Sequence, residues 1–114
     1  MTRFLDGPAA RKWLELKRMP LFLRVCIAAD GTVDALDQLD DEPRVGEVLY
    51  AYHREGEIHT IHIDYVDSKT RRRCGTWIRS ANYRLCPAQP DDGSMRDRAR
   101  WQEWCQLAYK KEKV

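Results

Sequence analysis

The feature that most constrains the fold of this chain is a run of strand-like segments, separated by turn residues, that fills residues 45–86. Four segments in this run have the composition and alternation typical of strands: 45–53, 58–66, 73–79 and 83–86. The glycine in segment 54–57 predicts a tight hairpin turn, and residues 67–70 predict a second turn. Strands joined by short turns pair with their neighbours, so the run predicts a consecutive antiparallel meander.

The N-terminal part of the chain predicts two more strands. Residues 13–17 alternate apolar and polar side chains, and residues 21–27 place four aliphatic side chains on one face. The Asp-Gly-Thr sequence at residues 30–32 is typical of a turn that closes a hairpin. Residues 33–43 are rich in acids and end at a proline, so they are predicted to form an acidic, loop-like excursion.

One helix is predicted at the C-terminal end, over residues 94–111. Ser94 and Asp97 approximate a capping box, in which the two side chains satisfy free N–H groups at the start of the helix. Apolar residues then recur at helical spacing and form one stripe: Trp101, Trp104, Cys105 and Ala108. The helix is therefore expected to pack this stripe against the sheet.

These elements predict one α+β domain over residues 1–114, with the sheet at about 13–86 and the helix at about 94–111. The sheet is expected to be a small antiparallel sheet or a partly open, SH3-like barrel. A chain of 114 residues has room for one ordinary core. No apolar run approaches the roughly 18 residues of a membrane span, and the N-terminus lacks the apolar region of a signal peptide. We therefore expect a cytoplasmic protein without membrane contact.

Charge is segregated along the chain, although the net charge is only +2. Residues 30–68 hold eleven of the eighteen acids, whereas residues 69–86 hold six cations and no acid. The two blocks meet at the turn predicted near residues 67–70, where Asp64 and Asp67 could pair with arginines across the strands. Two patches remain unmatched and are predicted to bind a partner: the basic hairpin Lys69, Arg71, Arg72 and Arg73, and the acidic segment Asp37, Asp40, Asp41 and Glu42.

The sequence predicts neither an enzyme nor a cofactor or metal site. Cys74, His62 and Asp64 could form a nucleophile, base and orienting acid on paper, but no glycine elbow or oxyanion loop accompanies them. His59 and His62 lie three apart on a predicted strand, and their side chains should therefore point to opposite faces. The four cysteines form no C-x-x-C pair, so reduced thiols are expected.

Five segments of the chain resemble small uncharacterised proteins encoded by bacteriophages and prophages. They are FLDGPAA at 4–10, LFLRV at 21–25, DALDQLDD at 34–41, P-x-x-G-E at 43–47 and MRD-x-A-x-W-x-x-WC at 95–105. The resemblance implies an accessory protein that acts in the cytoplasm of a bacterial host. Such proteins often block or redirect a host system by stoichiometric binding. The resemblance transfers no catalytic residue.

Two functions are predicted from these observations. The first is a non-enzymatic phage accessory protein that binds a host or phage protein, with inhibition of a bacterial defence or regulatory system as its effect. Four tryptophans in a small domain, with nearby arginines, supply the residue types that dominate protein interfaces. The alternative is a small-barrel nucleic-acid-binding protein in which the hairpin of Arg71, Arg72 and Arg73 binds phosphates, with Tyr83 or Trp77 available to stack on bases.

Overall fold

The computed structural model of the protein describes residues 1–36, 46–90 and 93–112. These residues contain six strands, a 3₁₀ turn at Gly7–Ala9 and one α-helix. The elements are β1 (Thr2–Phe4), β2 (Trp13–Leu14), β3 (Phe22–Ile27), β4 (Val33–Ala35), β5 (Val48–Val66), β6 (Arg73–Leu85) and α1 (Arg98–Glu112). The strands form one sheet in the order β2-β1-β6-β5-β3-β4. The predicted α+β fold, a small partly open barrel with a C-terminal helix, is confirmed.

The strand pairing differs from the prediction at the N-terminus. β1 was not expected from the sequence, and it pairs in parallel with β6, so the sheet is mixed rather than purely antiparallel. β2 covers only the first two residues of the strand predicted at 13–17. β4 lies at the start of the predicted acidic loop and forms a hairpin with β3 through the expected turn, in which Ala28 N–H donates to Thr32 O at 2.9 Å.

The hairpin turn predicted at residues 54–57 is wrong. β5 runs through this segment as one strand of 19 residues, and β6 pairs with it on both sides. Glu55 pairs with Asn82 and His59 with Ser80, so β5 carries two more residues than β6 between these pairs. They form a bulge in which Gly56 has a φ of +74°. A glycine with positive φ occurs in bulges as well as in turns, so Gly56 does not distinguish a bulge from the predicted hairpin turn.

The continuous strands form a projecting ribbon that we call the arm, residues 59–80. β3 pairs with β5 only at Phe22–Ile27, before the bulge, and β1 pairs with β6 from Ala81 onward. Among the described strands, β5 and β6 pair only with each other within the arm, apart from its base. The described residues measure 52 × 37 × 23 Å, and their radius of gyration of 16.0 Å exceeds the roughly 13 Å of a compact domain of this size.

The main core lies inside the barrel, where two tyrosines are fully buried. Tyr52 and Tyr83 surround Phe4, with ring centroids 5.0 and 6.2 Å from it. The hydroxyl of Tyr52 accepts a hydrogen bond from Ala9 N–H at 3.0 Å and donates to Asp6 O at 2.9 Å. A buried hydroxyl that makes both of its hydrogen bonds costs little free energy. Through these two bonds, Tyr52 joins the barrel to the N-terminal segment.

α1 packs outside the barrel on a second apolar cluster. The predicted stripe is confirmed, because Trp101 is buried and Trp104, Cys105 and Ala108 are partly buried against Phe22, Ala51 and Cys86. The predicted start at residue 94 is wrong. The helix begins at Arg98, and the carboxylate of Asp97 accepts N–H bonds from Ala99 at 2.9 Å and Arg100 at 3.2 Å. Asp97 is therefore the N-cap residue.

Candidate functional site

The tip of the arm, residues 67–73, is a turn organised by the aspartate that begins it. Asp67 Oδ1 accepts N–H bonds from Lys69 at 2.7 Å and Thr70 at 3.2 Å. The Asp67 carbonyl accepts the N–H of Arg71 at 2.8 Å, and its N–H donates to Arg72 O at 3.0 Å. These bonds use backbone groups of the tip and the Oδ1 atom of the Asp67 carboxylate. The lysine and arginine side chains of the tip take no part in them and extend into solvent.

The basic residues predicted from the sequence are all exposed at this tip: Lys69, Arg71, Arg72 and Arg73. The expected cross-strand ion pairs with Asp64 and Asp67 are not formed. Asp67 binds backbone N–H groups of its own turn, and Asp64 Oδ1 lies 3.3 Å from His62 Nδ1. Among the ranges that the structure describes, no carboxylate forms an ion pair with these four cations, so their charge is available to a partner.

The acidic patch predicted from the sequence cannot be placed beside the basic tip. Asp37, Asp40, Asp41 and Glu42 lie outside the described residues. Other acids of the same sequence block are found away from the tip: Asp30 and Asp34 belong to the hairpin of β3 and β4, and Glu55 lies at the bulge, where it accepts a bond from Arg84 at 2.7 Å. These described acids therefore leave the tip basic.

Of the two aromatic residues considered from the sequence for stacking on bases, Tyr83 is buried in the core and Trp77 is exposed on one face of the arm. Pairing of His62 with Trp77 and of Thr60 with Arg79 places these side chains on one face, with Asp64, Val66, Arg73 and Gly75. We call this set the Trp77 face. The indole of Trp77 is 68% exposed, and the His62 ring meets it edge-on at a centroid distance of 4.9 Å. A large aromatic ring is thus held in place but left open to solvent.

Gly75 makes room for the histidine that holds the tryptophan. A β-carbon at position 75 would lie 2.6 Å from His62 Nε2, closer than real contacts allow. The imidazole therefore rests on the bare backbone of Gly75, with Asp64 at one end and Trp77 at its side. An isolated glycine inside a strand often marks a close approach of this kind, and this signal could have pointed to the site.

The opposite face of the arm lies across a cleft from the N-terminal segment. A cleft of about 610 Å³ lies between them, and its walls include Ile63 and Ile78 from the arm and Trp13, Leu16 and Met19 from residues 13–19. The N-terminal ammonium group donates to the Arg79 carbonyl. This bond holds the base of the arm, and the Trp77 face is directed away from the cleft.

The residues considered for catalysis and metal binding are separated by the strand geometry. Cys74 pairs with Tyr65, which places its side chain on the face opposite His62 and Asp64. The same register separates His59 from His62, as the spacing predicted. Across the described ranges, no three histidine, cysteine or acidic side chains form a group that could hold a metal ion. The four thiols are free cysteines.

Comparisons of the chain with protein-family models, curated proteins and solved structures found no match. None of the helical residues that the structure describes forms a segment long and apolar enough to cross a membrane.

Proposed function

We propose that this protein is a non-enzymatic binding protein whose arm engages nucleic acid. The observation that carries the proposal is the set of four exposed cations at the tip, none of which has an ion-pair partner among the described residues. A run of phosphates can neutralise all of them together and release the condensed counterions, which is the main source of affinity in such complexes. This geometry favours the alternative of the two functions predicted from the sequence.

The shape of the arm supports the same conclusion. A two-stranded ribbon is about 5 Å between strand axes and fits a nucleic-acid groove or lies along a single strand. The weak net charge of +2 is no obstacle, because the arm holds five cations and two carboxylates while most of the remaining acids precede it in the chain. The positive potential is therefore concentrated where the ribbon projects.

The proposal is tested by removing the tip charge and measuring binding to labelled DNA and RNA at several salt concentrations. The variant R71A/R72A/R73A should lose at least about tenfold in affinity at low salt, with a log–log salt slope shallower by about 2 to 3. The matched control R96A/K110A/K111A removes three charges from exposed residues outside the arm and should bind as the unchanged protein does. Equal binding by both variants would contradict the proposal.

A protein partner is the second candidate, and the exposed apolar side chains of the arm favour it. Trp77 and Val66 are 68% and 63% exposed beside Arg73 on one face. Tryptophan and arginine together are typical of the centre of a protein interface. If the partner is a protein, this chain is a phage accessory protein, as its sequence resemblance implies, and it inhibits a defence or regulatory protein in the cytoplasm of a bacterial host.

Capture from a bacterial lysate with and without nuclease separates the two candidates. Loss of bound material after nuclease treatment supports nucleic-acid binding. A defined protein that survives nuclease treatment, and that W77A or R71A/R72A/R73A releases while R96A/K110A/K111A retains it, supports the protein partner.

A further inference from the structure

We infer that the arm binds single-stranded nucleic acid in preference to duplex, with a base stacked on Trp77. This inference rests on the proposed nucleic-acid function, but a different set of residues carries it. The tip cations would bind any phosphate backbone, whereas an exposed indole beside arginines adds a site for an unpaired base. The Trp77 face therefore identifies the kind of nucleic acid that the arm takes.

The indole of Trp77 is oriented before any ligand arrives. His62 meets it edge-on at 4.9 Å with an interplanar angle of 63°, and His62 is itself held between Gly75 and Asp64. A ring that is fixed in this way loses little conformational entropy when a base stacks on it. Because the indole remains 68% exposed, its flat surface is accessible to an incoming base.

Phosphate-binding groups lie on both sides of this ring along the same strand. Arg79, Trp77 and Arg73 are all on the Trp77 face of β6. Alternate residues of a strand are roughly 7 Å apart, so Arg79 is about 7 Å from Trp77 and Arg73 about 14 Å on the other side. A nucleic-acid strand lying along β6 can therefore place one base on Trp77 while neighbouring phosphates contact the two arginines.

Duplex nucleic acid cannot use the tryptophan without a penalty. Its bases are stacked on one another, and exposing one face to an indole requires unstacking or extrusion of a nucleotide. An unpaired strand offers its bases freely. The arm should then bind single strands through the tip and Trp77 together, and duplex through the cations alone.

The experiment compares a labelled 15-nucleotide oligothymidine with a mixed-sequence duplex of the same length by fluorescence anisotropy. W77A should weaken binding of the oligothymidine by between about 5-fold and 150-fold, the range of one lost base–aromatic stack, and change duplex binding less than twofold. W77F keeps an aromatic face and should retain most of the affinity. Y109A removes an exposed aromatic side chain of α1, outside the arm, and should bind both ligands normally.

The outcomes separate the inference from the function on which it rests. If W77A binds oligothymidine as tightly as Y109A does, or if the unchanged protein binds duplex as tightly as the single strand, the inference is wrong. The proposed function still stands in that case if R71A/R72A/R73A weakens both ligands. If neither nucleic acid binds, the proposed function and the inference both fail. Thermal unfolding of W77A shows that the variant is folded.

Discussion

The imidazole of His62 lies where the side chain of residue 75 would be, and it can do so only because that residue is glycine. A β-carbon there would come within 2.6 Å of Nε2 and 2.8 Å of Cε1 of the ring. The consequence reaches Trp77, two residues further along β6, because the same imidazole ring packs against its indole. Three residues on two strands thus define the exposed aromatic surface of the arm.

Gly75→Ala is expected to displace His62 and release Trp77 without unfolding the arm. The clashing atoms are at the end of a side chain that can rotate away, and alanine reduces the backbone entropy lost on folding by about 0.5–1 kcal/mol. The free energy of unfolding should therefore change by less than about 1 kcal/mol. The measurement is the NMR resonance of the Trp77 indole N–H, which should shift.

His62→Ala provides the matched comparison for this prediction. It removes the same ring contact without altering Gly75, so both variants should move the Trp77 resonance and leave that of buried Trp101 in place. A G75A spectrum in which only residues of the barrel change would contradict the proposed arrangement.

Tyr52→Phe is expected to lower the free energy of unfolding by about 1–3 kcal/mol. The substitution deletes the acceptor for the buried Ala9 N–H and the donor to the Asp6 carbonyl, and an unsatisfied buried polar group carries this penalty. Urea unfolding measures the difference. Tyr50→Phe is the control, since its hydroxyl makes no hydrogen bond with the described residues, and a change below about 0.5 kcal/mol is expected. Equal losses in both variants would rule out the hydrogen bonds as the cause.

Asp97→Ala is expected to destabilise α1 and lower the free energy of unfolding by about 0.5–2 kcal/mol. The Asp97 side chain accepts the N–H groups of Ala99 and Arg100, which otherwise lack a partner within the helix. Asn keeps an acceptor oxygen at this position, so D97N should recover most of the loss. Thermal unfolding followed by circular dichroism compares the three proteins, and a D97A melt identical to that of the unchanged protein would exclude Asp97 as the cap.

Cys26 is expected to make stability depend on pH in the alkaline range. Burial, with added effects of Glu47 and Asp34, raises the pKa of this thiol to about 11 from an ordinary value of 9.0. Between these values the unfolded thiol loses its proton while the folded one keeps it, so the free energy of unfolding should fall as pH rises from 9 to 11. The stabilisation is fully present below pH 9.

Two measurements check the Cys26 prediction. Unfolding curves from pH 8 to 11 should show a shallower decline for C26A than for the unchanged protein, although Tyr52 and Tyr83 also have raised pKa values and retain part of the slope. At pH 8, iodoacetamide should modify Cys26 in the folded protein far more slowly than in urea. Similar rates under the two conditions would show that the thiol is not protected.

Local patterns in the sequence were enough for several elements. The apolar stripe of Trp101 and Trp104, the turn around Asp67 and the strand near residues 21–27 were all predicted, because each depends on residues close together in the chain. β1 escaped prediction, since a strand of three residues has too few positions to show a period. Its pairing with Ala81–Tyr83 joins residues that are 79 positions apart in the sequence.

By itself, the sequence determined the α+β class, the helix face and the basic tip, because side-chain periodicity and turn chemistry are local properties. Only the tertiary structure decided that the chain does not turn at residues 54–57 but continues as one strand with a bulge between Glu55 and His59, since that choice depends on β6 pairing with both halves of β5. The Trp77 face follows from the same choice. His62, Gly75 and Trp77 meet only through the register of two long strands, and register is fixed by the whole sheet.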